Sequence, residues 1–531
     1  MFHKLPSFTR SRLIHLVTLL LVVFYNFALF GRFFDAYPLS PIHLVYMVSV
    51  ALVLAASIEF ILHIACFKAT IRPVLILVLL LSSAASFFMD TYGTVLDASM
   101  LENIVQTNTR EAESLINFKL LIYLLVLGVL PSIVVYKARI DFQPIKKELI
   151  TSVKTISIAV AVVVLQALMF SSFYSSFIRE HKEIRVYANP TMYIYSVFHF
   201  ATLNLGHEDR TFATIGDDAK VSESDERREL VVVVVGETAR AENFSLNGYK
   251  RKTNPQLEKE QVYSFKHFQS CGTSTAISVP CMFSHLDSNN FSVQKSKYQE
   301  NLLDVLHHAG VNVLWRDNNS DSKNVAVRVD YEDFKTKKSN PVCDAECRDV
   351  GMLSGLQDYI DSKSDGDIII LLHQMGNHGP DYYNRYPPDF EKFKPACHSD
   401  LLENCSEEEI VNAYDNAILY TDYFLSQVVA FLKNNADNFE TIMVYVSDHG
   451  ESLGESGVYL HGLPNFMAPD VQRDVGVIFW IGDNVEDINK KTLAKKTENK
   501  YSHDHLFHTI LGLFEINSSV YDSSMDILDH L

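Results

Sequence analysis

The stretch Glu229-Leu230-Val231-Val232-Val233-Val234-Val235-Gly236-Glu237-Thr238 decides the fold. A short β-branched run that is apolar at every position reads as a strand buried on both faces, the pattern of a parallel sheet covered by helices. It ends on a carboxylate. A second stretch repeats the arrangement: Thr441-Ile442-Met443-Val444-Tyr445-Val446-Ser447-Asp448-His449-Gly450 is largely apolar up to Ser447 and then delivers Asp448 and His449. In open α/β sheets ligands bind in the crevice outside the carboxyl ends of the strands, so both strand ends point to one site.

Between these runs lies Cys271-Gly272-Thr273-Ser274-Thr275-Ala276-Ile277-Ser278-Val279-Pro280-Cys281, a turn of small and hydroxylated residues with a cysteine at each end. A neutral hydroxyl is a poor nucleophile until a base or a metal takes its proton. Glu237, Asp448, His449 and the Thr275 oxygen form a ligand set suited to a divalent cation, tetrahedral for zinc. These residues point to a metal-dependent enzyme. A helix is expected over 277–286, directly after the nucleophile, so that its amides face a phosphate, with Pro280 in its first turn.

Two histidines extend the site. His378 follows a strand expected over 367–372, and His461 lies in Leu460-His461-Gly462-Leu463-Pro464; both sit in Gly- and Pro-rich loops at the same sheet edge. They are read as ligands for phosphoryl oxygens or a second metal, against the plainer reading of an exposed loop histidine. His373, nearer its strand, is expected to pack, and His503, His505 and His508 have metal-like spacing but are read as structural. After a strand expected over 312–315, Asn319 and Lys323 are candidate contacts for a phosphate or polar head group, with a plain turn as the alternative.

The 531 residues suffice for two or three domains. Long apolar runs are confined to the region before residue 180. Stretches 13–33, 43–67, 73–89, 118–136 and 155–177 approach or exceed the ~20 apolar residues needed to cross a bilayer. The first has a basic approach but no small-residue cleavage site, and reads as an uncleaved anchor. Lys4, Arg10 and Arg12, then Lys68 and Arg72, then Lys137, Arg139, Lys146 and Lys147 mark alternate connections as cytoplasmic. The chain after about residue 178 is therefore expected outside the cytoplasm.

The cysteines agree with that placement. Cys66 stands alone in the second span, and six others fall in close pairs in the exported part: Cys271 with Cys281, Cys343 with Cys347, Cys397 with Cys405. Neighbour disulfides are the simplest pairing in an oxidising compartment; a thiolate zinc cluster is the alternative for Cys343 and Cys347. A formal net charge of −18 argues against a nucleic-acid partner.

Residues 178–228 form a bridge in which cations and aromatic residues mix around Asn189-Pro190, a composition suited to the bilayer interface or to docking against the spans. The segment 91–117 is long for a helix connection, and Asn103, Gln106 and Glu111 within it are candidate contacts for a lipid head group, with packing or solvation as the alternative. Glu59 and His63, one helical turn apart in the second span, are read as a structural hydrogen-bonded pair. Three regions result: a five-helix transmembrane domain over 1–177, the bridge and linker over 178–228, and an α/β catalytic domain over 229–531.

Four segments together resemble the phosphoethanolamine transferases that modify lipid A, the group that includes the mobile colistin-resistance enzymes. They are the segment around Thr275, WRDNNSDSK ending in Lys323, NHGP at His378 and SDHGESLGE at Asp448-His449. The resemblance covers essentially the whole chain. It implies an alkaline phosphatase/sulfatase-type catalytic domain in the periplasm, anchored in the bacterial inner membrane by the spans, with Zn2+ as cofactor and a monomeric chain. Thr275 would be the nucleophile, held to zinc with Glu237, Asp448 and His449. His378 and His461 would bind the phosphate or a second zinc, and Asn319, Lys323, Asn103 and Glu111 would contact the donor. Phosphatidylethanolamine would be the donor and lipid A the acceptor, by double displacement through a phosphoethanolamine-threonine. Rival readings are the same chemistry on a core sugar or a glycerophosphate polymer, a phosphodiesterase, a sulfatase (whose Cys/Ser-x-Pro-x-Arg pattern is absent around Thr275), and a transporter or receptor.

Overall fold

Val231 to Val235 are each wholly buried, and sequestering a valine side chain from water contributes about 1.5–3 kcal/mol, so this run is driven to the centre of a sheet. The computed structural model describes residues 7–107, 112, 115–181, 183–205, 211–222 and 227–528. It resolves into two compact units, 1–101 with 116–202, and 102–115 with 203–531.

The second unit is built on a seven-stranded sheet. Its strands in chain order are β1 (Glu229–Gly236), β2 (Tyr263–Phe265), β3 (Asn312–Asp317), β4 (Asp330–Asp333), β5 (Ile368–His373), β6 (Glu440–Ser447) and β7 (Val477–Ile481). The spatial order is β2-β7-β6-β1-β5-β3-β4. β6, β1, β5, β3 and β4 pair in parallel, whereas β7 is antiparallel to both β6 and β2, so the sheet is mixed at one edge. β1 and β6 are central, and β1 is buried at every position. The helix Glu407–Asn435 opens on a Ser406/Glu409 capping box and buries Ile410, Tyr414, Ile418, Leu425, Val428 and Leu432, a stripe at helical spacing. Disulfides join Cys271 to Cys281, Cys343 to Cys347 and Cys397 to Cys405.

The first unit carries four helices long and apolar enough to span a membrane: Pro41–Ala65, Ile71–Tyr92, Phe118–Lys137 and Ile145–Met169. Arg10–Phe24 and Phe27–Ala36, bent by 49°, make a fifth if taken as one span. At the bend the Asn26 side chain donates to the Leu21 carbonyl at 3.0 Å and to the Asn189 carbonyl at 2.8 Å, competing with regular helix bonding. The last span departs from the sequence expectation. The helix begins at Ile145 and breaks at Phe170, before a separate helix Ser171–Glu180. Hydropathy overlooks its first turns because they carry Glu148 and Ser152, yet Arg10 pairs with both. His63 Nδ1 lies 3.1 Å from a Glu59 carboxylate oxygen, and His15 Nδ1 lies 2.8 Å from the other, so the expected pair is part of a three-residue cluster.

Candidate active site

Parallel pairing of β1 and β6 sets Gly236 beside Ser447, so the next residues, Glu237 and Asp448, emerge together. Asp448 Oδ1 accepts the amides of Thr238 (3.2 Å) and His449 (2.7 Å), which turns Oδ2 towards Glu237 and His449. His449 Nδ1 faces the Gly450 carbonyl oxygen at 2.8 Å and must carry the proton there. Its Nε2 is then a lone pair, 3.5 Å from Glu237 Oε1 and 3.4 Å from Asp448 Oδ2. Burial pushes the imidazole down to about 4, against the pull of Asp448, so it stays neutral at pH 7.

Thr275 completes the set. Its hydroxyl donates to Glu237 Oε2 at 3.2 Å and lies 3.4 Å from His449 Nε2. The helix expected from 277 runs instead over Thr275–Met282, with Ser274 at the N-cap position making no side-chain cap bond, so Pro280 is in its interior and Thr275 is the first helical residue. The Ile277 and Ser278 amides donate to the Ser274 carbonyl at 3.0 and 2.8 Å, so the hydroxyl sits on the first turn of the helix. The turn is clamped at several points. The Gly462 amide donates to the Thr273 carbonyl (2.7 Å), the Thr273 hydroxyl to the Leu463 carbonyl (2.6 Å), and Asn465 to the Cys271 carbonyl (3.0 Å).

The donor set fits a cation. Carboxylate oxygens of Glu237 and Asp448 and a ring nitrogen of His449 lie within 4.8 Å of one another, all fully buried. Asp448 Oδ2 receives no hydrogen bond among the described residues. Buried acceptors facing one another repel unless a positive charge lies between them. Two carboxylates, an imidazole whose other nitrogen is tied to a carbonyl, and a hydroxyl are the ligand types zinc takes.

His378 and His461 lie beside the set, both buried, with ring centroids 5.4 Å apart, and the His461 ring lies 4.3 Å from that of His449. Asn319 is drawn into the ligand set, donating to Glu237 Oε2 at 2.7 Å and to the Gln374 carbonyl at 2.8 Å. Lys323 Nζ donates to the Gln106 carbonyl at 3.2 Å, at the end of the helix Ala98–Gln106 that carries Asn103. Glu111 lies outside the described residues. Positive φ angles at Thr238 (49°), Lys323 (51°) and Leu460 (62°) place strained backbone at or beside Glu237, Lys323 and His461.

Several residues that hold this geometry were not singled out from the sequence. Glu451 is wholly buried, receives the Tyr382 hydroxyl at 2.6 Å and lies 2.8 Å from His461 Nδ1, which turns Nε2 of His461 away. Asp349 accepts the amides of Met375 (2.8 Å) and Gly376 (3.1 Å) and the Asn318 side chain (2.7 Å), tying the His378 loop to the Asn319 loop; burial pushes its carboxyl up. At Gly376 (φ +53°) an added Cβ would sit 2.9 Å from the Glu237 carbonyl oxygen, so only glycine lets this loop approach the ligand strand. His373 packs as expected, its Nδ1 2.8 Å from Asp317. Burial acts to raise the Asp317 carboxyl, but facing His373 and Lys335 and receiving the Trp315 N–H hold it well below the usual range.

A family profile described as phosphoethanolamine transferase EptA/EptB matches residues 54–205, and one described as sulfatase matches 229–516. The chain is 42% identical over 520 residues to the phosphatidylethanolamine transferase Mcr-2 of Escherichia coli, covering 95% of each. It is 38% identical over 536 residues to the phosphoethanolamine transferase EptA of Escherichia coli K12, covering 97% of this chain and 96% of the relative. The integral membrane lipooligosaccharide phosphoethanolamine transferase A of Neisseria meningitidis superposes with a TM-score of 0.94 at 32% identity, covering 99% of both chains. The chain therefore belongs to the phosphoethanolamine transferases, multi-pass inner-membrane enzymes with a sulfatase-type catalytic domain in the periplasm.

Proposed function

We propose that the chain moves phosphoethanolamine from phosphatidylethanolamine to a phosphate of lipid A by double displacement through Thr275. The observation that carries this reading is the approach of the Thr275 hydroxyl to Glu237 and His449 at a helix start inside a buried site. In the first half-reaction Thr275 Oγ attacks the donor phosphorus. The bond from phosphorus to the diacylglycerol oxygen breaks, and that oxygen gains a proton as Thr275 loses one. In the second, a lipid A phosphate oxygen attacks the same phosphorus, the bond from phosphorus to Thr275 Oγ breaks, and Thr275 Oγ takes up a proton as the acceptor phosphate gives one up.

Zinc, held by Glu237, Asp448, His449 and the threonine oxygen, would supply Lewis-acid polarisation and a lowered hydroxyl pKa. Asn319 orients Glu237, and the Gly450 carbonyl fixes the tautomer of His449. The Thr275 helix start offers amides to phosphoryl oxygens. His378 and His461 are assigned to those oxygens or to a second metal. Lys323 and Asn103 are assigned to the donor head group, supported by the Lys323 contact to Gln106, three residues after Asn103. Glu111 is assigned with them on the resemblance alone. Both substrates are lipids, which explains the membrane anchor. Adding a cationic ethanolamine lowers the acceptor's negative charge and so its hold on polymyxin-like peptides.

The test reconstitutes the full chain with zinc in phosphatidylethanolamine vesicles containing lipid A or lipid A stripped of its phosphates. Phosphoethanolamine should appear only on the phosphorylated acceptor. Equal modification of both would move the acceptor to a sugar hydroxyl.

A further inference from the structure

We propose that His503 is a positioning residue for the transfer, holding the nucleophile turn at a fixed level against the strand that delivers Asp448 and His449. This role rests on Thr275 being the nucleophile. It begins with a short parallel pairing outside the main sheet, in which His267–Gln269 runs beside Lys500–Ser502 with Gln269 opposite Ser502. Parallel strands deliver their following residues at the same edge, here Cys271 from one and His503 from the other.

The ring bridges two backbone groups. The Cys271 amide donates to Nδ1 at 3.3 Å, and Nε2 lies 3.0 Å from the Ser447 carbonyl oxygen. An amide can only donate and a carbonyl can only accept, so the imidazole is neutral with its hydrogen on Nε2. Only 1% of His503 is exposed, so bulk water does not compete for either bond.

Both bridged residues lead directly into the site. Ser447 precedes Asp448, and its hydroxyl accepts the Ala239 amide at 2.8 Å and donates to the His449 carbonyl at 3.0 Å. Cys271 opens the nucleophile turn and is joined by its disulfide to Cys281, near the end of the Thr275 helix. The clamps from Gly462, Leu463 and Asn465 tie the turn to the His461 loop; His503 ties it to the metal strand. Losing that tie leaves a buried amide and a buried carbonyl unpaired, and small misplacements of a nucleophile cost rate steeply. His505 and His508 do not share the role: His505 Nδ1 accepts the Ser502 amide at 3.2 Å and His508 Nδ1 the Asp522 amide at 3.1 Å.

The test measures the rate at which the Thr275 peptide acquires phosphoethanolamine, using the full chain with zinc in phosphatidylethanolamine vesicles. H503L removes both bonds, whereas H503Q keeps one acceptor and one donor in a neutral side chain. H503L should load at least about tenfold more slowly, with zinc per chain and the half-saturating donor concentration unchanged. H503Q should lose no more than about threefold, a recovery that a merely space-filling histidine would not show. A wild-type rate in H503L, or equal slowing of H503Q and H503L, overturns the proposal. If H503L does not fold, H503Q decides alone, and a loss beyond about tenfold overturns it. Absence of the adduct in the wild type sinks the threonine reading instead, a separate result.

Discussion

Asn189 in the membrane unit and Asp448 and His449 in the catalytic unit are equally inaccessible to water, but their surroundings differ in kind. Asn189 donates its backbone amide to Asn26 at 2.9 Å and its side-chain amide to Tyr25, Ser82 and Ser86 at 2.9–3.1 Å. Each N–H donor of Asn189 there meets an acceptor, although its Oδ1 receives no hydrogen bond among the described residues. In the catalytic unit Asp448 Oδ2 and His449 Nε2 face each other at 3.4 Å, acceptor against acceptor, with no donor on Asp448 Oδ2 among the described residues. Buried polarity that is satisfied holds a structure together; buried polarity that converges unsatisfied marks where a cation or substrate belongs.

The largest effect should come from removing that convergence. D448N should lower transfer at least about a thousandfold. In chelator-treated protein the same change should stabilise by about 1–3 kcal/mol, because the new amide can donate to His449. Zinc should then raise the thermal midpoint of the wild type far more than that of D448N, as a melting series with and without chelator would record. Stabilisation of both proteins by zinc alike would erase the contrast between the units.

The converse change is N189L, which deletes the side-chain amide that donates to Tyr25, Ser82 and Ser86. It should destabilise the protein in detergent by about 2–4 kcal/mol while leaving zinc per chain unchanged. A loss of zinc without a loss of thermal stability would reverse the assignment of the two kinds of polarity.

What was legible in the sequence follows from how far apart the determinants lie. The apolar runs ending in Glu237 and in Asp448-His449 are local signals, and the strand ends bring those residues together. Glu451 was out of reach because its partner is defined by a hairpin: Ser452 pairs with Leu460 and Leu453 with Tyr459, which sets Glu451 opposite His461. Asp349 and His503 act across still longer separations, through backbone amides that carry no sequence signature. The start of the last span at Ile145 was missed because hydropathy sums composition and does not register that Arg10 pairs with Glu148 and Ser152.

Glu451 allows a subtler comparison. E451Q keeps an acceptor for His461 but loses the charge, and carboxylates behind site histidines typically contribute 10–100-fold, so about a tenfold loss of transfer is expected, with E451A lower still. Steady-state rates at saturating donor would check this; a wild-type rate in E451A would remove Glu451 from the site. The smallest effect belongs to the outer face of the membrane unit. Leu168 is 72% exposed, and L168A should change stability in detergent by no more than about 0.5 kcal/mol. A larger loss would mean that this face packs against protein.

The most direct test of the central claim is peptide mass mapping of the zinc-loaded full chain after incubation with phosphatidylethanolamine and no acceptor, beside T275A. The expected result is phosphoethanolamine on the Thr275 peptide of the wild type alone, discharged when lipid A is added. Release of diacylglycerol by both proteins with no adduct on either would contradict it.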